Sequence, residues 1–198
     1  MKTLFKSDLR FDWKVSTVTI VSTLLLMVDH YQRLTPEKWL DRTILYFVIP
    51  MAIILLVFRE HPRQYGFTLG DWRAGLALTA LSIALIAPVL WFVTRGDSTM
   101  TQYYAGQVEG FPWNTFRDLF GWEFIFRGFI LFAYTRKFGA EGLWLHAVPF
   151  ALAHLGKPAV ETYSTIFGGF VFGWIAYRTR SFGWAFLIHW FVNSFVIV

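Results

Sequence analysis

The chain has 198 residues, 56% of them hydrophobic and only 16% charged, with 10 Trp, 8 Tyr and no Cys. A soluble domain carries about 25% charged residues, so this composition leans to the membrane, where Trp and Tyr collect at the interface. The lack of cysteine excludes disulfides and thiolate metal sites, and the net charge of +5 reads as basic cytoplasmic loops rather than nucleic-acid binding.

The length fits one domain, taken as 1–198. The N-terminus, MKTLFKSDLRFDWK, is charged, and no small-residue cleavage site follows the first apolar run. That run is read as a retained span rather than a signal peptide. Uncharged apolar runs cover residues 15–28, 43–58, 74–94, 162–177 and 181–198. Two more apolar segments, 114–135 and 142–155, carry polar residues. A span needs about 20 residues, so some runs need their flanks and 142–155 is short. The runs are continuous rather than alternating, which predicts helices and not strands. The expected fold is all-α: a polytopic membrane bundle of about seven transmembrane helices around an intramembrane polar cavity.

Loop charges give an orientation. With the N-terminus cytoplasmic, the inner segments hold Lys2, Lys6, Arg10, Lys14, Arg59, Arg63, Arg73, Arg136, Lys137, Arg178 and Arg180. The outer ones hold fewer: Arg33, Lys38, Arg42, Arg95 and Lys157. This satisfies the positive-inside rule. Residues 96–113 read as a surface loop, and Asp29 and His30 as the interfacial end of the first span. Gly169 and Gly173, in FGGFVFGW, make a small-xxx-small pair that lets two helices approach closely.

Ionisable residues inside a membrane are rare and usually face the bundle interior. Here three late helices carry them. Glu123 and Arg127 are four apart, His189 and Asn193 are four apart, and His154 follows Phe150 by four. Residues four apart share a helix face, so the three helices can meet at one polar centre. His146, two turns before His154, reads as structural. A glutamate and a histidine can deprotonate water. A histidine and an asparagine can donate to an oxyanion. Arg127 can hold the Glu123 carboxylate. These are parts of a hydrolase acting on an acyl or peptide bond. Glu123, His154 and His189 also make a His₂Glu set for zinc, but no HExxH helix is present, and the expectation is no metal and no cofactor.

The sequence resembles the CPBP family of intramembrane peptidases, which includes the type II CAAX prenyl proteases and the bacteriocin-processing, Abi-like proteins. That family carries Glu-Glu-x-x-x-Arg, then Phe-x-x-x-His, then His-x-x-x-Asn on successive helices. Here WEFIFR from Trp122, FALAH from Phe150 and HWFVN from His189 occupy those places in order, and YGFTLGDWRAGL from Tyr65 resembles the approach to an earlier helix. The resemblance runs from about 63 to the C-terminus. It implies an integral protein of a prokaryotic inner or plasma membrane that cleaves a membrane-associated or prenylated protein or peptide. It assigns water activation to a glutamate with His154, the oxyanion site to His189 and Asn193, and carboxylate orientation to Arg127. The departure is Trp122, which stands where the family has its first glutamate. Glu123 matches the second, arginine-paired glutamate. Two readings follow: Glu123 serves as the base, or the protein is a disabled member acting as a membrane binding, immunity or export-partner protein. A proton path or small transporter is the third reading; the lack of internal repeats speaks against it.

Overall fold

The computed structural model describes residues 10–106 and 111–197, and these are helical throughout, with turns and no strand among them. Helix α1, Trp13–Tyr31, starts at Asp12, whose side chain accepts from the N–H groups of Lys14 and Val15. Such a cap satisfies donors that the first turn leaves orphaned. Helix α2, Lys38–Val57, contains two widened π-type turns, Ile44–Val48 and Ile53–Val57. The first of them ends just before Pro50, whose ring would meet the carbonyl of Tyr46 in a regular helix. Widening the turn gives that ring room.

A short 3₁₀ turn, Pro62–Tyr65, leads into a loop with Gly66 and Gly70 at positive φ. The Gly70 α-carbon lies against the Thr179 carbonyl, and the next residue, Asp71, donates its N–H to that same oxygen at 2.8 Å. A side chain at Gly70 would break this junction. Asp71 then caps α3, Trp72–Gly96. Asp97 closes α3 and caps α4, Ser98–Ala105. The stretch expected as a loop, 96–113, thus holds a helix: Asp97 bonds Thr99 N–H at 2.8 Å and nucleates it. Residues 107–110 of that stretch, Lys2 and Lys6 of the N-terminus, and Val198 lie outside the described residues.

Helix α5 is continuous over 113–138: Trp113–Glu123, a widened turn Phe124–Ile130, then Leu131–Phe138. Helices α6, Glu141–Leu152, α7, Ala159–Thr179, and α8, Phe182–Ile197, complete the chain. The middle of α5 is the centre of the molecule. Phe124, Ile125, Phe126, Arg127, Phe129 and Ile130 are all fully buried, and α1, α2, α6, α7 and α8 pack around this turn. Close approach depends on small residues. A Cβ at Gly121 would stand 2.5 Å from the Arg42 carbonyl, one at Gly169 would press on Phe150 and Ala147, and one at Gly173 would enter the His146 ring. The expected Gly169/Gly173 pair is therefore the seam between α7 and α6.

Among the described residues two helices are long and apolar enough to cross a membrane, Lys38–Val57 and Trp72–Gly96, with mean hydropathy 2.0 and 2.4; Phe182–Ile197 is apolar but shorter. Leu81, Leu85, Val89 and Phe92 of α3 all face outward. An apolar outer face of that length suits lipid better than water. Asp29, expected at an interface, is instead buried at the end of α1, with Lys38 at 2.5 Å and Arg42 at 3.7 Å; His30 beside it is exposed. Lys38 and Arg42 belong to α2 rather than to a loop because Asp29 and Asp118 draw them inward.

Candidate active site

Glu123 is the last residue before the widened turn of α5, and its side chain is fully buried. Its Oε1 accepts from Arg127 Nη1 at 3.2 Å, one helical turn on, and from His189 Nδ1 at 2.6 Å, across from α8. Its Oε2 has no hydrogen-bond partner among the described residues. Arg127 is also fully buried, with its guanidinium carbon 3.7 Å from the Phe150 ring centre. The aromatic face offers a cation partial negative charge, and Glu123 offers a full one. Breaking one side of such a buried pair leaves an uncompensated charge.

His154 lies just past the end of α6 and is 2% exposed. Its Nδ1 contacts the Phe150 carbonyl at 2.7 Å. A carbonyl only accepts, so Nδ1 carries the proton, and the neutral ring keeps Nε2 as an acceptor. His189 has given Nδ1 to Glu123 and likewise acts through Nε2. The two imidazole rings face each other at 6.4 Å between centres, 29° apart in plane. His146 is fully buried, with Nδ1 on the Leu143 carbonyl at 2.7 Å. It packs under Gly173, which agrees with a structural role.

A cleft of about 450 Å³ opens beside these groups. Its wall includes His154, His189, Asn193, Trp122, Asp118 and Arg42, but not Glu123. Successive helical residues point about 100° apart. Trp122 therefore takes the wall position while Glu123 points into the bundle and reaches the cleft only through His189. Trp122 is wedged in place: the Arg42 guanidinium sits 4.6 Å over its ring, and His154, Phe126 and Tyr46 contact it at ring distances of 5.7, 5.1 and 5.9 Å. On its far side a second, more apolar chamber of about 610 Å³ lies between α1, α2 and α6, lined by Leu26, Met27, Tyr46 and Leu152 among others.

Glu123, Arg127, His154 and His189, expected to meet, do meet, and Asn193 joins the two histidines on the cleft wall. Two wall residues were not anticipated from the sequence. Asp118 and Arg42 form an ion pair between α5 and α2. The available signal was spacing: Asp118 precedes Trp122 by four on one face of α5. No group of three His, Asp or Glu side chains among the described residues is arranged to hold a metal ion. The Glu123 carboxylate that a His₂Glu set would need is fully buried behind the cleft wall, with Arg127 and His189 on its Oε1.

A family model described as type II CAAX prenyl endopeptidase, Rce1-like, matches residues 110–195. Neither the curated proteins nor the solved structures give a match.

Proposed function

We propose that this chain, which over residues 110–195 belongs to the Rce1-like type II CAAX prenyl endopeptidases, is an intramembrane peptidase. It hydrolyses a peptide bond of a membrane-associated or prenylated substrate in the cleft between α5, α6 and α8. The observation that carries this reading is the 2.6 Å contact of His189 with Glu123. It fixes His189 on the wall that His154 and Asn193 share.

The roles follow from hydrogen-bonding capacity. His154 holds the attacking water through Nε2. The Asn193 amide donates to the carbonyl oxygen as it gains negative charge, and His189 stands beside it as the second residue of the oxyanion site. Glu123 holds His189 by its other nitrogen, and Arg127 holds Glu123. The apolar surfaces of α2 and α3 support a cleft within a bilayer, in a bundle read as about seven spans with a cytoplasmic N-terminus.

The test is cleavage of a mixed peptide set, including prenylated C-terminal peptides, by purified protein in detergent. His154→Ala, His189→Ala and Asn193→Ala each lower the rate, the histidine variants by about 10²–10⁴-fold, while remaining folded. Cleavage that all three variants leave intact contradicts the reading.

Trp122 favours a second reading. A bulky indole stands on the wall where the family resemblance implies a glutamate, so a disabled member that binds without cutting also fits. Trp122→Glu separates the two: cleavage by that variant and not by the parent selects the binding protein.

A further inference from the structure

Peptide hydrolysis needs a group that takes a proton from water, and the wall position one would expect to hold it carries Trp122. Glu123 does not replace it. Its Oε1 is shared by Arg127 and His189, and its side chain is fully buried behind the cleft wall.

The other candidates on the wall differ in how they tolerate charge. His154 has a neutral carbonyl on Nδ1. The ring is 2% exposed, so an imidazolium there would be buried with a neutral carbonyl and no anion on its N–H, which is costly. His154 is thus a good acceptor for a water hydrogen and a poor resting place for a proton. His189 has a carboxylate partner, but that carboxylate is already balanced by Arg127. Glu37 also lines the cleft but is exposed at the start of α2. Asp118 differs from all of these. It sits one turn before Trp122 on the same face of α5 and lines the same cleft as His154, His189 and Asn193. Arg42 pairs its Oδ2, so the anion has a counter-charge. The side chain is 28% exposed, although Oδ1 itself is buried and lacks a hydrogen-bond partner among the described residues. A part-exposed carboxylate on the cleft wall has lone pairs to spare for a donor, and water is the donor the reaction supplies.

We propose that Asp118 is the catalytic carboxylate of this protein, displaced by one helical turn from the position that Trp122 fills. The attacking water donates one hydrogen to His154 and the other to Asp118. Its oxygen forms the new bond to the scissile carbonyl carbon as one proton passes to Asp118. The proton moves on to the amide nitrogen as the carbon–nitrogen bond breaks. The products are a carboxylic acid and an amine, and Asp118 is a carboxylate again. The proposal rests on the peptidase reading above.

The experiment compares the parent with Asp118→Asn, Asp118→Glu, Arg42→Gln and the double variant Asp118→Asn/Trp122→Glu, each checked for folding by thermal midpoint in detergent. Expected is a loss of about 100-fold or more in Asp118→Asn, with Asp118→Glu well above it. Arg42→Gln breaks the ion pair but keeps the carboxylate, so it stays at least about tenfold above Asp118→Asn, and the double variant regains about tenfold or more because a carboxylate returns to the wall. Cleavage by Asp118→Asn within about threefold of the parent, against the loss a general base implies, overturns the assignment. So does an equal loss in Arg42→Gln without recovery in the double variant, which would make the ion pair merely structural. Persistent parent-like cleavage in Asp118→Asn removes Asp118 and leaves the peptidase reading standing. No cleavage by the parent or by Trp122→Glu removes both.

Discussion

One carboxylate oxygen of Glu123 serves two partners, Arg127 at 3.2 Å and His189 at 2.6 Å, in complete burial. In the proposed mechanism Glu123 therefore positions His189. Removing the positive charge alone should be worse than removing both charges. Arg127→Met is expected to cost about 3–5 kcal/mol, because a buried carboxylate is left without its counter-charge. Arg127→Met/Glu123→Gln should recover part of that loss. Thermal midpoints of the two variants in one detergent decide it; a double variant no more stable than Arg127→Met would mean that the pair carries little charge compensation. The meeting of these side chains was legible in the sequence because spacing by four fixes a shared face on each helix. Which face of α5 opens to the cleft was not. Trp122 and Glu123 are adjacent, and only packing against Arg42, Phe126 and His154 shows that the indole has the wall.

At the level of elements, α7 lies against α6 through glycine. The Gly173 α-carbon abuts His146, and Gly169 abuts Ala147 and Phe150. Gly173→Leu is expected to cost about 1–3 kcal/mol by overpacking and to lower activity by shifting α6, which ends next to His154. Gly168→Ala, on the same helix but with open space around its α-carbon, should leave the thermal midpoint nearly unchanged, and equal losses in the two variants would contradict the seam. The other end of the bundle is tied by charge. Burial alone would raise the Glu60 carboxyl, but hydrogen bonds from Lys14 and Tyr65 and the charge of Arg136 outweigh it and hold it below its ordinary value. A depressed folded-state pKa contributes stability above the ordinary glutamate value, about 4.3, and loses it as pH falls through the folded value. Glu60→Gln should therefore lower the thermal midpoint at neutral pH, and the gap to the parent should close in acid. A gap that is constant with pH would assign the loss to packing. The seam was legible from FGGFVFGW. The widened turn Phe124–Ile130 was not, since no proline or glycine pair marks it as Pro50 marks the turn in α2. Helix α4 escaped notice because a polar eight-residue helix has no apolar run to announce it.

Across the whole molecule, the order of three short polar motifs on three apolar helices gave the site its address, and the fold brings those motifs to one cleft. Hydropathy alone gives less. Among the described residues, Lys38–Val57 and Trp72–Gly96 alone stand out as spans by length and composition. Helix α5, which organises the bundle, carries Arg117, Asp118, Glu123 and Arg127, so it reads as an apolar segment interrupted by charge rather than as an uncharged span. Trp122 lines both the cleft and the second chamber that Leu26, Met27 and Tyr46 help to form. The central claim is that this cleft cuts peptide bonds with His189 held by Glu123. It is tested most directly by incubating parent, Glu123→Gln and Trp122→Glu proteins with the peptide set and reading products by mass spectrometry. Expected are cleavage by the parent and a loss of about 10²-fold in Glu123→Gln, because His189 loses the partner that orients it; cleavage by Trp122→Glu alone, or a Glu123→Gln protein as active as the parent, would overturn the peptidase proposal.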